Sequence, residues 1–452
     1  MGKNQLRRMP MNEQLQQFLT GRIWLREHTP FPREAIDAHI ESGHIHLKPG
    51  IEKDENQPFF GQLKKYVCNR CHNTNQHLFH TFHCARCNKN CTYCRHCIRM
   101  GRVSSCSELL LWKGVHARGA NAHEFAWSGQ LTPLQQKASE ELLSSVNQNQ
   151  SHLLHAVCGA GKTELLFPSI FQCLKQGKRV CVAAPRTDVI LELFPRFQKV
   201  FPQTTIHALY GGAPDQQGFA ELILATTHQL YRFEQAFDVV FVDEADAFPY
   251  YADETLQRAV KKAAKQDAAI HYVTATPTKS LQTTNQSVLS RRYHGHDLPV
   301  PRFDSLWGYA RQLNKGKVPS KLQQWIEEKT KNNIPFLVFL PTIEMLENFP
   351  GDLARVHAEH PDRKELVMQL REKKIPGLLT TTILERGITI ENVHVAVVGA
   401  EQKIFTSSAL IQISGRVGRS FQYPTGDIVF FHHGISREMD KAQAAIEGWN
   451  RS

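Results

Sequence analysis

The chain has 452 residues, 41% of them hydrophobic, enough for two or three domains with sizeable cores, so a peptide or a disordered scaffold is excluded. Its 54 lysines and arginines against 43 acids leave a net charge of +11, which favours a polyanionic partner. No window approaches the ~18 consecutive apolar residues of a membrane-spanning helix, and the start MGKNQLRRMP lacks the apolar stretch of a signal peptide; a soluble, intracellular chain is expected.

In chain order, residues 1–60 read as a polar, helical segment with breaks at Pro30, Pro32 and Pro49. Residues 61–110 read as a small basic module. Between Gly61 and Ala120 there are ten lysines or arginines and one acid, Glu108, so most of the net charge sits there. The same stretch holds eight of the eleven cysteines. In a long intracellular chain, clustered cysteines suit metal better than disulfides.

Cys68-Asn-Arg-Cys71 and Cys94-Arg-His-Cys97 are two C-x₂-C knuckles, each able to offer two thiolates to a tetrahedral Zn²⁺. A third knuckle, Cys84-Ala-Arg-Cys87, and Cys91 lie between them, so the spacing allows two pairings. One zinc takes Cys68, Cys71, Cys94 and Cys97, leaving Cys84, Cys87 and Cys91 for a second metal with His83 or Cys106 as fourth ligand. Alternatively, Cys68 and Cys71 pair with Cys84 and Cys87. Four thiolates on one Zn²⁺ add a charge of about −2, so the module stays basic and suits phosphate. Tyr66, Phe79, Phe82 and Tyr93 interleave with the basic residues, either as base-stacking platforms or as the small module's core.

A Gly-containing passage from Lys113 to Gly129 reads as linker. From Leu131, short apolar runs recur between helical stretches: HLLHAV, VCVAAP, LILATT, VVFVDE and HYVTAT, then FLVFLPT, GLLTTT, HVAVVGA and DIVFFH. This β/α alternation predicts two α/β domains with mostly parallel sheets, residues 111–295 and 296–452.

The sharpest chemical motif is AVCGAGKTE at 156–164, an apolar strand ending in a Gly-rich turn: Ala156, Val157, Cys158, Gly159, Ala160, Gly161, Lys162, Thr163. Glycines let backbone N–H groups approach phosphate oxygens, and the following helix N-terminus favours anions. Lys162 is placed to reach the β and γ phosphates and Thr163 to ligate Mg²⁺. The common pattern G-x-x-x-x-G-K-[ST] is departed from at its first position, Ala156. Further on, VVFVDEADAF ends a strand in Asp243-Glu244-Ala245-Asp246. Acids at a strand's C-terminal end in a phosphate-loop protein suit Mg²⁺ coordination by Asp243, with Glu244 orienting or deprotonating the attacking water.

The ordered series AVCGAGKTE, APRTDV (184–189), ATTHQL (225–230), DEAD (243–246), TAT (274–276), TTTILERGITI (380–390) and QISGRVGR (412–419) resembles superfamily 2 helicases and translocases. That resemblance implies two tandem RecA-like lobes behind the zinc module, with ATP and Mg²⁺ as cofactors. It also implies that Gln135 in LTPLQQ reads adenine, that Thr274 and Thr276 couple lobe contacts to hydrolysis, and that Gly387 lies near nucleotide. Arg416 and Arg419 would reach across the cleft to the γ-phosphate, where an arginine supplied in cis is worth ~10³ or more in rate.

A cysteine zinc module directly before such a motor, with YCRHCIRMGRVSSC, PRTDVILEL, DEADAFPY, TTILERG and GAEQKIFTSSALIQISGRVGR, resembles the ComFA family of competence ATPases. The resemblance implies a motor at the inner membrane face that helps drive single-stranded DNA into the cytoplasm. Its implied partners are a membrane DNA-uptake channel, a phosphoribosyltransferase-like protein and a recombination mediator. It favours Cys68, Cys71, Cys94 and Cys97 as the zinc ligands, while Cys84, Cys87 and Cys91 depart from its four-cysteine pattern. A primosomal replication-restart helicase is the alternative, but there the cysteines lie within or after the motor. An RNA helicase of the DEAD type ranks third because it lacks an N-terminal zinc ribbon. A scaffold with a dead ATPase would be expected to lose Lys162, Asp243, Glu244 or Arg419, and all four are present.

Overall fold

The computed structural model describes residues 11–53, 66–119, 122–214, 216, 218–278, 281, 283–358, 360–385 and 390–451. Gly387 lies outside them. The chain divides into two compact units: residues 1–130, 139–153 and 166–286, and residues 131–138, 154–165 and 287–452.

In the first unit, the helix Glu13–Leu19 starts where the Asn12 side chain accepts from Leu15 N, with Glu13 in its first turn, a favourable N-terminus. A second helix, Arg33–Glu41, begins directly after Pro32. The N-terminal segment is not purely helical, however. Strands Ile23–Leu25 and Ile45–Pro49 flank Glu108–Trp112 in a three-stranded antiparallel sheet. The central sequence ELLLW is apolar at successive positions because both of its faces are covered. Leu110 and Trp112 pack with Leu15, Phe18 and Ile36 on one side. Leu109 and Leu111 face a larger cluster on the other.

That larger cluster joins the cysteine module to the motor. Cys68, Cys71, Cys94, Cys97 and Val103 are buried together with Phe233, Phe237, Val240 and Val260. Polar ties reinforce the contact: Lys262 Nζ donates to Arg70 O at 2.6 Å and Tyr231 O at 3.0 Å, and His96 Nε2 meets the Tyr231 hydroxyl at 2.8 Å. Buried Arg179 donates to Thr20 O at 2.9 Å and Ala220 O at 3.0 Å. In the passage 113–129, expected to be a linker, residues 125–127 are packed. Phe125 stacks on Phe171 at 4.9 Å, Trp127 meets Phe167 edge-on, and Ala126 N donates to Val200 O. Its aromatic residues decide this, outweighing the glycines.

The first unit's main sheet runs Ile206–Leu209, Leu222–Thr226, Val180–Ala184, Phe237–Asp243, Ala264–Thr274, His152–Ala156, Asn285–Leu289; the last two strands run on into the second unit. The first five are parallel. The second unit carries a six-stranded parallel sheet ordered Arg302–Ser305, Ile428–His432, His394–Val398, Phe336–Phe339, Gly377–Thr380, Ala354–Val356. Leu322 and Trp325 of helix Ser320–Lys331 pack against Phe336, Val338 and Val429 of this sheet.

One core group sets an acid limit on the first unit. His271 is fully buried, stacks on Phe241 at 5.1 Å, and neither ring nitrogen has a hydrogen-bond partner among the described residues. Burial, with His152 nearby, pulls its pKa down to about 3. The unfolded chain takes up a proton near pH 6.5 that the folded one refuses. Stability is therefore full above about 6.5 and falls by about 1.4 kcal/mol per pH unit on acidification toward 3. His271→Leu is expected to flatten the fall of the urea midpoint between pH 7 and pH 5; an unchanged slope would overturn this account.

Candidate nucleotide site and cysteine centres

The strand His152–Ala156 ends at a buried Ala156, where Cβ is accommodated because the chain is still extended. The turn follows one residue later. Val157 N is held by Leu289 O at 3.0 Å and Ala160 N by Val157 O at 3.1 Å. Gly159 and Gly161 have φ of +83° and +77°, where a side chain would be strained. A Cβ on Gly161 would also run into the Gln135 amide. Gln135 is buried, its oxygen accepting from Thr132 N at 2.8 Å and its amide donating to Ala160 O at 2.8 Å. It therefore braces the loop. Lys162 opens helix Lys162–Lys175 with Thr163 next, and Lys162 Nζ turns back to Ala156 O at 3.1 Å. A loop of this shape, with Lys162 at its mouth, has the geometry to cradle a phosphate.

Within the second unit the cradle touches the QISGRVGR segment. Cys158 Sγ donates to Gln412 Oε1 at 3.0 Å, and a Cβ on Gly415 would overlap the Cys158 side chain. Arg292 ties the two together, donating to Cys158 O at 3.2 Å and to the carbonyls of Val417 and Gly418. Burial and the neighbouring Arg419 charge pull Arg292 down to about 10. Arg416 is buried, and Arg419 Nε donates to Gly415 O at 2.8 Å. Sequence reasoning missed Arg292. It follows an edge strand in SRRYHGH, a context with no motif spacing to mark it.

In the first unit, Asp243 ends its strand 8% exposed, with Oδ1 accepting from Glu244 N at 2.8 Å. Glu244 sits at φ +51°, a conformation concentrated at functional turns. Asp246 accepts from both threonines of the TAT motif, Thr274 and Thr276, each at 2.5 Å. Arg186 of APRTDV makes a two-pronged bond to Asp188 at 3.2 and 3.1 Å. A cavity of about 870 Å³, lined in part by Arg22, Lys113, His116 and Asp238, contains none of these motif residues.

The cysteines gather in two groups of four. Cys68, Cys71, Cys94 and Cys97 are all buried, with Sγ atoms within 4.8 Å of one another. The 68–97 and 71–94 separations are 3.8 and 3.7 Å. A Zn–S bond of ~2.3 Å gives a tetrahedral edge of about 3.8 Å, so this donor set fits zinc. The Asn73 amide points at Cys94 Sγ, and Arg70 is spent on the carbonyls of Cys97, Met100 and Gly101, so it is structural rather than free for phosphate. The second group is Cys84, Cys87, Cys91 and Cys106. His83, the other fourth-ligand candidate, instead meets Asn88 Oδ1 at 3.1 Å. Of the four aromatics, Tyr66 and Phe79 pack on the shared core. Phe82 and Tyr93 meet edge-on at 5.5 Å, with Arg102 over Phe82 at 4.5 Å.

Three known domain families match along the chain. Residues 4–111 match the Competence protein ComFA N-terminal domain, 128–279 the Type III restriction enzyme, res subunit, and 317–421 the Helicase conserved C-terminal domain. Among solved structures, S. cerevisiae Dbp5 bound to RNA and ADP BeF3 has a TM-score of 0.55 at 16% identity, over 71% of this chain and 88% of that one, a likeness of fold. The two parallel-sheet lobes are RecA-like, and the protein is an ATP-hydrolysing, helicase-type enzyme of superfamily 2. Competence protein ComFA of Bacillus subtilis (strain 168) is 42% identical over 97% of this chain and 96% of its own length. The Streptococcus pneumoniae (strain ATCC BAA-255 / R6) protein of the same name is 41% identical over 72% and 78%. The chain belongs to the ComFA family of competence proteins. Among the described residues, no helix is long and apolar enough to cross a membrane.

Proposed function

We propose that this protein is an ATP-driven motor on single-stranded DNA, serving DNA uptake during competence. The observation that carries the reading is the near full-length similarity to competence ComFA, which covers motor and cysteine module together. Lys162 neutralises the β and γ phosphates of ATP, and the cradle's N–H groups bind their oxygens. Thr163 and Asp243 hold Mg²⁺, which supplies charge neutralisation on the phosphates when bound. Glu244 orients the attacking water. Arg416 and Arg419 stabilise charge developing on the γ-phosphate. Gln135 keeps one N–H and one oxygen lone pair beyond its two loop bonds, enough to read an adenine edge. Cys68, Cys71, Cys94 and Cys97 hold a structural zinc.

The exposed basic residues Lys89, Arg95, Arg99 and Arg102, with Phe82 and Tyr93 among them, offer phosphate contacts beside two stacking rings. The membrane uptake channel, the phosphoribosyltransferase-like protein and the recombination mediator are the partners this reading brings, at the inner face of the membrane.

The test is ATP turnover with single-stranded DNA, duplex DNA and RNA in parallel. Single-stranded DNA is expected to stimulate most, and the DNA concentration for half-stimulation should rise with salt, by a logarithmic slope of about 0.7 per phosphate contact. Arg99→Ala with Arg102→Ala should lower that slope by one or two contacts. Equal stimulation by duplex or RNA would overturn the substrate assignment.

A further inference from the structure

We propose that Cys84, Cys87, Cys91 and Cys106 form a second zinc centre, distinct from the buried one, and that its ion is the more readily exchanged. The hairpin Phe79–Cys84 and Lys89–Cys94 brings Cys84, Cys87 and Cys91 to one end. Segment 103–106 then lies along the hairpin's second strand: Tyr93 bridges Ser104, Ser105 N donates to Thr92 O at 2.8 Å, and Ser104 Oγ meets Cys106 Sγ at 3.3 Å. Cys106 is thereby placed at the open corner. All four Sγ atoms lie within 4.8 Å of one another, with Cys84 to Cys106 at 3.7 Å and Cys87 to Cys91 at 3.3 Å.

The 3.7 Å separation matches the ~3.8 Å edge of a ZnS₄ tetrahedron, the 3.3 Å one is within reach of it, and both are far from a disulfide's ~2.05 Å. A soft, four-sulfur donor set selects zinc over hard cations. On binding, four thiols release four protons to solvent and leave a site of charge −2.

The two centres differ in their surroundings. Every ligand of the first is buried in the core shared with the motor. In the second, Cys87 and Cys106 are only half-buried, and no residue of that group belongs to the shared core. Cys84 and Cys91 are buried, so water and chelators reach it from the side of Cys87 and Cys106. The centre ties residues 103–106 to the hairpin, and so fixes Arg102 over Phe82.

Elemental analysis of the purified full-length protein should give two zinc ions per chain, and one in Cys87→Ser or Cys106→Ser. One ion in the wild type, unchanged in both variants, would overturn the second centre; none at all would also sink the first. Should a variant lose both ions by unfolding, the wild-type stoichiometry decides alone, two supporting and one refuting. With 4-(2-pyridylazo)resorcinol as chelator, release should be biphasic, the fast equivalent vanishing in Cys87→Ser. A single phase carrying both ions would refute the difference in exchange. Two fewer free thiols in the denatured, unreduced protein, with one zinc bound, would identify a Cys87–Cys91 disulfide instead and overturn the proposal.

Discussion

Lys162→Ala is expected to reduce ATP turnover at saturating DNA by at least about a hundredfold, equivalent to roughly 3 kcal/mol of transition-state stabilisation. The lysine is the cation at the mouth of the cradle, and its one described hydrogen bond is to Ala156 O. It is only half-buried, so zinc content and melting temperature should not move. Asp243→Asn should be as inactive, because the amide keeps the shape and the acceptor for Glu244 N while removing the charge that Mg²⁺ requires. Activity above about 10% of wild type in either variant would falsify the site assignment.

Cys68→Ser is expected to cost more than the zinc. From sequence alone, the module and the motor look like separate folding units, so zinc loss should spare basal hydrolysis. The shared core changes that expectation. Cys68 is buried in one cluster with Phe233, Phe237 and Val260, and Lys262 reaches from the motor to Arg70 O. Zinc coordination contributes about 10–16 kcal/mol in small metal domains, comparable with the 5–15 kcal/mol that holds an ordinary domain folded. The variant should lose the buried zinc, melt ten degrees or more lower, and lose ATPase activity in step with folded fraction. Wild-type melting with zinc gone would mean that the module is held by apolar packing alone.

The motor was legible because its signals are local. The nine apolar runs all correspond to strands, and the phosphate loop carries its chemistry in eight consecutive residues. In the motor, the strands that escaped notice, Ile206–Leu209, Asn285–Leu289, Arg302–Ser305 and Ala354–Val356, are the edges of its two sheets. Edge strands are short and need only one covered partner side, so they lack the continuous apolar run of a central strand.

The cysteine pairs were legible as pairs. Their grouping was left open by spacing, because Cys106 belongs to no knuckle and is delivered by backbone pairing of Ser104 and Ser105 along the hairpin. Hydrogen bonds distant in sequence were invisible too: Arg292 to the 417–418 carbonyls, and Arg179 to Thr20. The partners of these two arginines are backbone carbonyls, which every residue has.

The paired bonds from Thr274 and Thr276 to one carboxylate have a mechanical consequence. Asp246 is three residues past Asp243, and the two hydroxyls grip both of its oxygens, so the acidic turn and the end of the neighbouring strand form a linkage with little backlash. Two short hydrogen bonds to one carboxylate resist independent movement of the two ends, so displacement of one loads the other. Two hydroxyl groups contribute to that coupling. A Thr→Val exchange would preserve the shape of the part and uncouple the lever.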